Sequence, residues 1–275
     1  MMEEGGRTAS DVERDEMLVK MQERMKAPLE WPSIGSCKIL DLQPQHFSEA
    51  LRLIKRHYFK DDPMCAAAGL SEDPISVEYY LECIRMWMKD TTSLVAVSGK
   101  SGRVVGVVIA RINVEVDRSI TYSRMQIHEG QVLEKIMDFK NTLVKEADIH
   151  NYFKSPEVFR LYILCIHPSY QTKGLGTALL EAFIQMAIAL GVPAIVALLT
   201  CGVTHELATE LGFEVLNEIQ YSRWIVNDRA IFINPGIGNY SAALFGMFTP
   251  SMKYLEKIWR ERRALKREEE RRRKK

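Results

Sequence analysis

The sequence predicts an α/β fold, and three observations carry the prediction. Short apolar runs rich in Val, Ile and Leu alternate with longer segments whose apolar residues recur at helical spacing. Clusters of Gly, Pro, Asn and Asp separate the two kinds of segment. Residues 158–191 then place a strand, a glycine turn and an amphipathic helix in direct succession.

Residues 1–34 read as a charged, helical appendage. Ser10-Asp11-Val12-Glu13 has capping-box spacing, Met17, Leu18, Met21 and Met25 share one helical face, and Pro28 and Pro32 close the segment. The domain proper is expected over 35–233. It opens with a strand at 38–42 and a helix at 44–58 that carries Phe47, Ala50, Leu51, Ile54 and Tyr58 on one face. Residues 58–64 read as a loop that combines aromatics with two carboxylates. Asp73-Pro74 caps and starts the next helix, whose apolar face is Val77, Leu81, Ile84 and Met88. Strands at 92–97 and 104–114 form a hairpin through the Gly- and Ser-rich residues between them.

Residues 115–130 are polar and receive no assignment, and 131–147 is a helix with Val132, Ile136, Phe139, Leu143 and Ala147 in register. The strand at 158–166 follows. The next helix aligns Leu175, Leu179, Ala182, Phe183, Met186 and Leu190, and Gly191 and Pro193 stop it. A strand at 194–199, a short helix at 205–211 and late strands at 213–219, 223–226 and 230–233 complete the domain. Residues 234–275 read as a connector to 249, then a helix bearing Met252, Leu255, Ile258 and Trp259, then a tail of dense mixed charge.

Composition narrows the function classes. A chain of 275 residues with 47% hydrophobic content suits one globular domain with appendages. A net charge of +1 gives no global footprint for nucleic acid or an anionic membrane. The five cysteines, Cys37, Cys65, Cys83, Cys165 and Cys201, are scattered and form no Cys-x-x-Cys pair. That pattern supports neither a metal site nor a disulfide framework, and it fits a reducing, cytoplasmic setting. The charged N-terminus is no signal peptide, and no apolar run reaches about 18 residues. The basic end of the tail leaves a nuclear address open. Nothing in the sequence sets the oligomeric state.

A strand, a glycine turn and a helix N-terminus make an anion site, because the first helical N–H groups lack partners and the macrodipole adds positive charge. Gly174 and Gly176 let a phosphate approach the backbone. The Walker loop is excluded because Gly176-Thr177-Ala178 lacks its lysine, and the dinucleotide fingerprint because Leu179 takes the place of its third glycine. What remains, Gln171-x-x-Gly174-x-Gly176, resembles the acyl-CoA fingerprint of the GNAT (Gcn5-related) N-acetyltransferase superfamily. Leu211-Gly212-Phe213 resembles the turn that leads into that family's last strands. The resemblance covers roughly the whole central domain and implies the GNAT fold, a mixed twisted sheet of about six to seven strands flanked by helices. It also implies acetyl-CoA as co-substrate. The pantetheine would lie along Leu164, Cys165 and Ile166, and the pyrophosphate over Gln171, Thr172, Lys173, Gly174, Leu175, Gly176 and Thr177. The N–H of Ile166 would polarise the thioester carbonyl. Lys173 suits a phosphate contact and a solvated surface position equally.

Phe59-Lys60-Asp61-Asp62-Pro63-Met64 is similar to the Phe-x-Asp-Glu-Pro-Leu signature of the insect arylalkylamine N-acetyltransferases. Asp62 stands where that branch carries its catalytic glutamate; it is one methylene shorter, a gap that a bridging water can close. The chemistry calls for such a group. An alkylamine has a pKa near 10, so at pH 7 only about one molecule in a thousand is the free nucleophile. A carboxylate can take the proton, while Tyr58, Phe59 and Asp61 supply an aromatic and anionic wall for the cationic substrate. The same Asp61-Asp62-Pro63 also suits a plain turn. Ala208 occupies the place of the tyrosine that many family members use on the departing thiolate. Thr204 keeps a hydroxyl that the insect branch carries as serine, with Thr200 one helical turn earlier, and either residue also suits a helix cap. Cys165 near His167 raises a rival, an acyl-cysteine intermediate, but Pro168 ends the strand before the two can share a face.

The resemblance implies acetyl transfer from acetyl-CoA to a small primary amine, an arylalkylamine first, by direct transfer in a ternary complex. The alternatives are a polyamine, agmatine or long-chain acyl-amide N-acyltransferase, and a non-catalytic acyl-CoA-binding or interaction protein.

Overall fold

The computed structural model describes residues 16, 19, 22–24, 26–115 and 130–273. The capping box at 10–13, the methionine face of the first helix and the unassigned stretch 116–129 lie outside the described residues. The strands are β1 (Glu30–Ile34), β2 (Cys37–Asp41), β3 (Leu94–Ser98), β4 (Val104–Val114), β5 (Glu157–Ile166), β6 (Ala194–Leu199), β7 (Glu214–Gln220), β8 (Ile225–Val226), β9 (Arg229–Ala230) and β10 (Ser241–Phe248). The longer helices are α1 (Phe47–Leu53), α2 (Pro74–Met88), α3 (Gln131–Ala147), α4 (Leu175–Leu190), α5 (Gly202–Glu210) and α6 (Met252–Arg273).

Eight strands form one mixed sheet in the order β1-β2-β3-β4-β5-β6-β10-β7. Its pairs are antiparallel except β5–β6, which is parallel. Helices cover both faces. Residues of α1, α2 and α3 share one core with Ile163 and Cys165 of β5. Residues of α4, α5 and α6 share the other with Phe159 and Leu161. Strand β6 is buried at every position, as its unbroken apolar sequence requires of a strand covered on both faces. The apolar stripe expected of α4 is buried throughout, and Gly191 at φ 76° ends the helix.

The sheet overruns its expected limits at both ends. Residues expected as connector form β10, which enters between β6 and β7. The apolar run Ala242–Phe248 specifies that strand, but Gly236, Gly238 and Asn239 just before it read as a linker. Residues 223–233 give no strand of the main sheet; β8 and β9 are a separate two-stranded ribbon. The sheet therefore holds eight strands rather than six or seven. A further short helix, Ile149–Phe153, follows α3.

At the other end β1 pairs with β2, so the segment expected as an appendage reaches into the sheet. Asp41, 1% exposed, fastens it. Its carboxylate accepts from Arg24 Nε at 3.0 Å, Trp31 Nε1 at 2.8 Å and the Leu29 N–H at 3.0 Å. Asp41→Ala would leave a buried guanidinium without its counter-charge. It is expected to lower unfolding stability by about 3–5 kcal/mol, read as a urea midpoint shift at unchanged slope.

Two irregularities shape the centre of the sheet. Strands β5 and β6 pair only from Phe159↔Ile195 to Leu161↔Ala197. Beyond that point β5 stays with β4 as far as Ile166↔Gly106, and β6 stays with β10 as far as Leu199↔Ala243. The two strands part and leave a V-shaped gap. Next to it, Ile109 faces Ile163 and Ala110 faces Leu161, so Tyr162 is the extra residue of a β-bulge.

Candidate active site

The gap opens toward the N-terminus of α4. Gly174 caps that helix in the left-handed region at φ 78°, and Ala178 is the first N–H to find a helical carbonyl, that of Gly174 at 3.0 Å. The N–H groups before it have no helical partner and remain available to an anion. A Cβ on Gly174 would lie 2.9 Å from Ile34 Cδ1, and one on Gly176 would lie 3.1 Å from Ile166 Cδ1. Gln171 Nε2 donates to the Ile166 carbonyl at 3.2 Å, tying the turn to the end of β5. Thr172 holds a positive φ of 59°. Lys173 is engaged within its own loop: Nζ donates to the Ser169 carbonyl at 2.6 Å and lies 5.6 Å from the Tyr170 ring centre. The Leu175 side chain belongs to the core, and Thr177 is half-buried in the first turn of α4.

The ladder fixes which groups of β5 face the gap. His167 N–H donates to the Val105 carbonyl at 2.9 Å, so that pair is a bonded one. Bonded and non-bonded pairs alternate in an antiparallel ladder. Cys165, opposite Val107, therefore turns its N–H and C=O toward β4, while Leu164 and Ile166 turn theirs into the gap. The Cys165 thiol points into the core and lies 3.8 Å from the Leu53 carbonyl. Burial pushes its pKa up to about 12, leaving negligible thiolate at neutral pH. Neither its backbone nor its sulfur meets the gap, a correction to the sequence expectation. His167 points elsewhere: its Nδ1 accepts from the Ser169 N–H at 3.2 Å, and its ring lies 4.9 Å from that of His57.

The other wall of the site is the segment expected as a loop, and it is helical. After α1 the chain widens into a π turn at Ile54–Tyr58, continues through Phe59–Asp61 and breaks at Asp62, whose ψ is 126°. A one-turn helix, Pro63–Ala67, starts there, with Asp62 as its cap and Pro63 at its first position. One carboxylate oxygen of Asp62 accepts from the Cys65 N–H at 3.0 Å. The other accepts from the Thr200 hydroxyl at the end of β6, and Tyr221 Oη donates to the Thr200 carbonyl at 2.6 Å. Asp62 is 9% exposed and is held beside the diverging end of β6.

The two threonines divide their roles. Thr200 reaches the carboxylate, whereas the half-buried Thr204 donates to the Cys201 carbonyl at 2.8 Å in the first turn of α5. The aromatic motif residues also divide. Phe59 is buried and stacks on Tyr80 with ring centres 5.0 Å apart, and Tyr58 lies beside it. Asp61 is largely exposed and faces His57 Nδ1 at 3.4 Å.

Sequence reasoning missed Lys140 and Tyr80. Lys140 is 6% exposed on α3, and its Nζ reaches Tyr80 Oη at 2.7 Å and Tyr58 Oη at 3.3 Å. Burial lowers its pKa, against the opposing pull of the neighbouring Cys65 and Asp62. Burial raises the pKa of Tyr58 and Tyr80, and the negative charge of Asp62 adds to it in both. The signal for Lys140 is its place in the buried stripe Leu133, Ile136, Met137, Lys140, Val144: a lysine in the middle of an apolar helical face.

The model of the acetyltransferase (GNAT) family matches residues 55–213. That span runs from the π turn before Asp62 to the Phe after the Leu-Gly turn. No sequence among curated proteins matches the chain. Many solved structures share the fold, and three of them illustrate it. A protein assigned as arylalkylamine N-acetyltransferase 7 of the yellow fever mosquito Aedes aegypti is 20% identical, with a TM-score of 0.73 over 82% of this chain and 96% of its own. Arylalkylamine N-acetyltransferase 2 of the same mosquito is 17% identical, with a TM-score of 0.72 over 78% of this chain and 100% of its own. The Drosophila melanogaster polyamine N-acetyltransferase, an enzyme that forms N-acetylagmatine, is 17% identical, with a TM-score of 0.64 over 77% of this chain and 99% of its own. With the parted central strands and the glycine turn at the head of α4, these findings establish that the chain belongs to the GNAT acetyltransferase family.

Proposed function

We propose that the protein transfers the acetyl group of acetyl-CoA to a small primary amine, with arylalkylamines as the leading acceptors. Transfer is direct, with both substrates bound at once. The observation that carries the reading is the Asp62–Thr200 hydrogen bond, which holds a carboxylate beside the gap between β5 and β6. The pyrophosphate takes the free N–H groups at the head of α4. The pantetheine runs along the edge presented by Leu164 and Ile166, and the N–H of Ile166 polarises the thioester carbonyl. Asp62 accepts the ammonium proton, directly or through one water, and the freed nitrogen attacks the carbonyl carbon. The attacking nitrogen gives up its second proton to solvent, the bond to sulfur breaks, and CoA leaves as thiolate. Thr204 serves that thiolate only by turning its hydroxyl away from the Cys201 carbonyl. A buried thiol at Cys165 favours direct transfer over an acyl-enzyme. No helix among the described residues is long and apolar enough to cross a membrane. The five free cysteines suit the reducing cytoplasm.

The test is a thiol-release assay with acetyl-CoA against a panel of amines. Saturable release with tyramine, dopamine or serotonin, and little with spermidine or agmatine, is the expected result. Preference for polyamines would replace the acceptor class. Acetyl-CoA binding without release for any amine would overturn the catalytic reading.

A further inference from the structure

One long connection touches both supports of Asp62. Residues 221–240 join the neighbouring antiparallel strands β7 and β10, and the Tyr221 N–H donates to the Tyr240 carbonyl at 3.0 Å to close the base of the loop. A hairpin needs only about two to five residues to turn, so the length of this connection calls for another explanation. The loop folds back over α3. Phe232 is buried, with its ring 4.8 Å from that of Phe139 and 5.2 Å from that of Tyr221, and the Trp224 ring lies 5.0 Å from that of Phe139.

From that anchorage the loop makes three hydrogen bonds at the site. The Ile233 N–H donates at 3.3 Å to the carbonyl of Ala67, the last residue of the one-turn helix that Asp62 caps. The Gly202 N–H donates to Asn239 Oδ1 at 3.1 Å, and the Tyr221 hydroxyl donates to the Thr200 carbonyl at 2.6 Å. Backbone meets backbone at this corner: a Cβ on Gly202 would collide with the Gly238 carbonyl. The Tyr221 bond is the one closest to the chemistry. Strand β6 leaves its ladder with β10 at Leu199↔Ala243, so Thr200 lies just past the pairing that orients the strand. Thr200 is 7% exposed and Tyr221 1%, and a bond between groups so far from water is costly to leave unmade. Burial first, and the charge of Asp62 next, push the Tyr221 pKa up, so its hydroxyl keeps its proton and stays a donor. The residue whose carbonyl Tyr221 holds is the one whose hydroxyl donates to Asp62. Turning that corner would turn the hydroxyl away from the carboxylate.

Resting on the reading of Asp62 as base given above, we propose that Tyr221 is a positioning residue, which fixes the Thr200 corner and through it the aim of Asp62 at the acceptor nitrogen. Asn239 steadies the same corner at Gly202. The loop 221–240 is thereby a clamp on the base.

The experiment uses the full chain, acetyl-CoA and the panel amine of highest kcat/KM. Tyr221→Phe keeps the ring and removes the hydroxyl. It is expected to lower kcat about ten- to a hundredfold, the scale of a small misplacement of a reacting group, with the amine KM and the acetyl-CoA Kd within about twofold of normal. Both are spared because the carboxylate and the anion site remain. Asn239→Ala, at a half-buried position, should give a loss of the same kind of about three- to tenfold, and it carries the test if Tyr221→Phe fails to fold. A double-mutant cycle separates aim from packing. In a Thr200→Val protein, where the hydroxyl that reaches Asp62 is gone, adding Tyr221→Phe should cost less than about threefold further in kcat. Losses that multiply across the two substitutions overturn the proposal. So does a folded Tyr221→Phe protein with normal kcat, or one whose defect lies in KM alone. Failure of the unaltered protein to release CoA with any amine, alongside measurable acetyl-CoA binding, is a different result; it overturns the catalytic reading on which the proposal rests.

Discussion

Asp62→Asn should lower kcat/KM for the amine by about 10²- to 10⁴-fold at pH 7, the range that a positioned general base contributes. The substitution separates chemistry from structure because Asn ranks with Asp as a helix cap. Its side-chain oxygen can still accept from the Cys65 N–H, and its amide can still pair with the Thr200 hydroxyl. Thermal stability and acetyl-CoA affinity are therefore expected to stay close to those of the unaltered protein. What disappears is the proton acceptor and its negative charge. The defect has a pH signature. An alkylamine titrates near pH 10, so each unit below that costs about tenfold in free amine. As pH rises from 7 toward 9.5 the substrate supplies its own nucleophile, and the gap between Asp62→Asn and the unaltered protein should narrow. A gap that stays constant with pH would mean that Asp62 positions rather than deprotonates, and activity within about threefold of normal at pH 7 would remove Asp62 from the mechanism. Asp62→Ala should lose the same activity and also about 1 kcal/mol of stability with the cap.

The parts of this site that the sequence made legible are local ones. Residues 158–191 carry their own strand pattern, breakers and helical stripe, and all of these signals agree with the final structure. The helical form of the aromatic motif was also within reach. Asp62-Pro63 repeats the cap-plus-proline pattern of Asp73-Pro74, and both aspartates cap helices. The acidic and aromatic neighbours of Asp62 mask a cap signal that stands clear at Asp73. The rest depends on contacts that no local pattern encodes. Asp62 and Thr200 are separated by 138 positions, so spacing alone could not choose Thr200 over Thr204. Strand β10 enters the sheet between strands that precede it, and only the pairing partners on both sides make a strand of a run that follows a glycine-rich stretch. Lys140 lies between these cases. Its place in an apolar stripe is visible, but the two tyrosines that receive its ammonium come from different elements.

Gly174→Trp should abolish detectable acetyl-CoA binding, because the position is constrained both in conformation and in space. Gly174 sits at φ 78°, where a side chain meets the following carbonyl, at a cost of about 1–2 kcal/mol for an ordinary L-residue. Its Cβ would also approach Ile34 Cδ1 to 2.9 Å, and that contact is with the movable end of a side chain. Neither effect is large enough to unfold a domain with a stability of about 5–15 kcal/mol. The indole, however, must leave the backbone at the head of α4, where the unpaired N–H groups lie. A bound pyrophosphate needs those groups uncovered, since each charge-assisted hydrogen bond lost removes about 1.5–3 kcal/mol. Titration calorimetry on a graded series separates strain from obstruction. Gly174→Asn, which tolerates the left-handed region, should bind acetyl-CoA more weakly than the unaltered protein but measurably. Gly174→Ala bears the strain with a smaller side chain, and Gly174→Trp adds the obstruction. Affinity that falls with side-chain size while the thermal midpoint falls only a few degrees places the phosphates at this turn. Retained affinity in a folded Gly174→Trp protein would move the acyl donor away from the head of α4 and with it the orientation of the thioester toward Asp62.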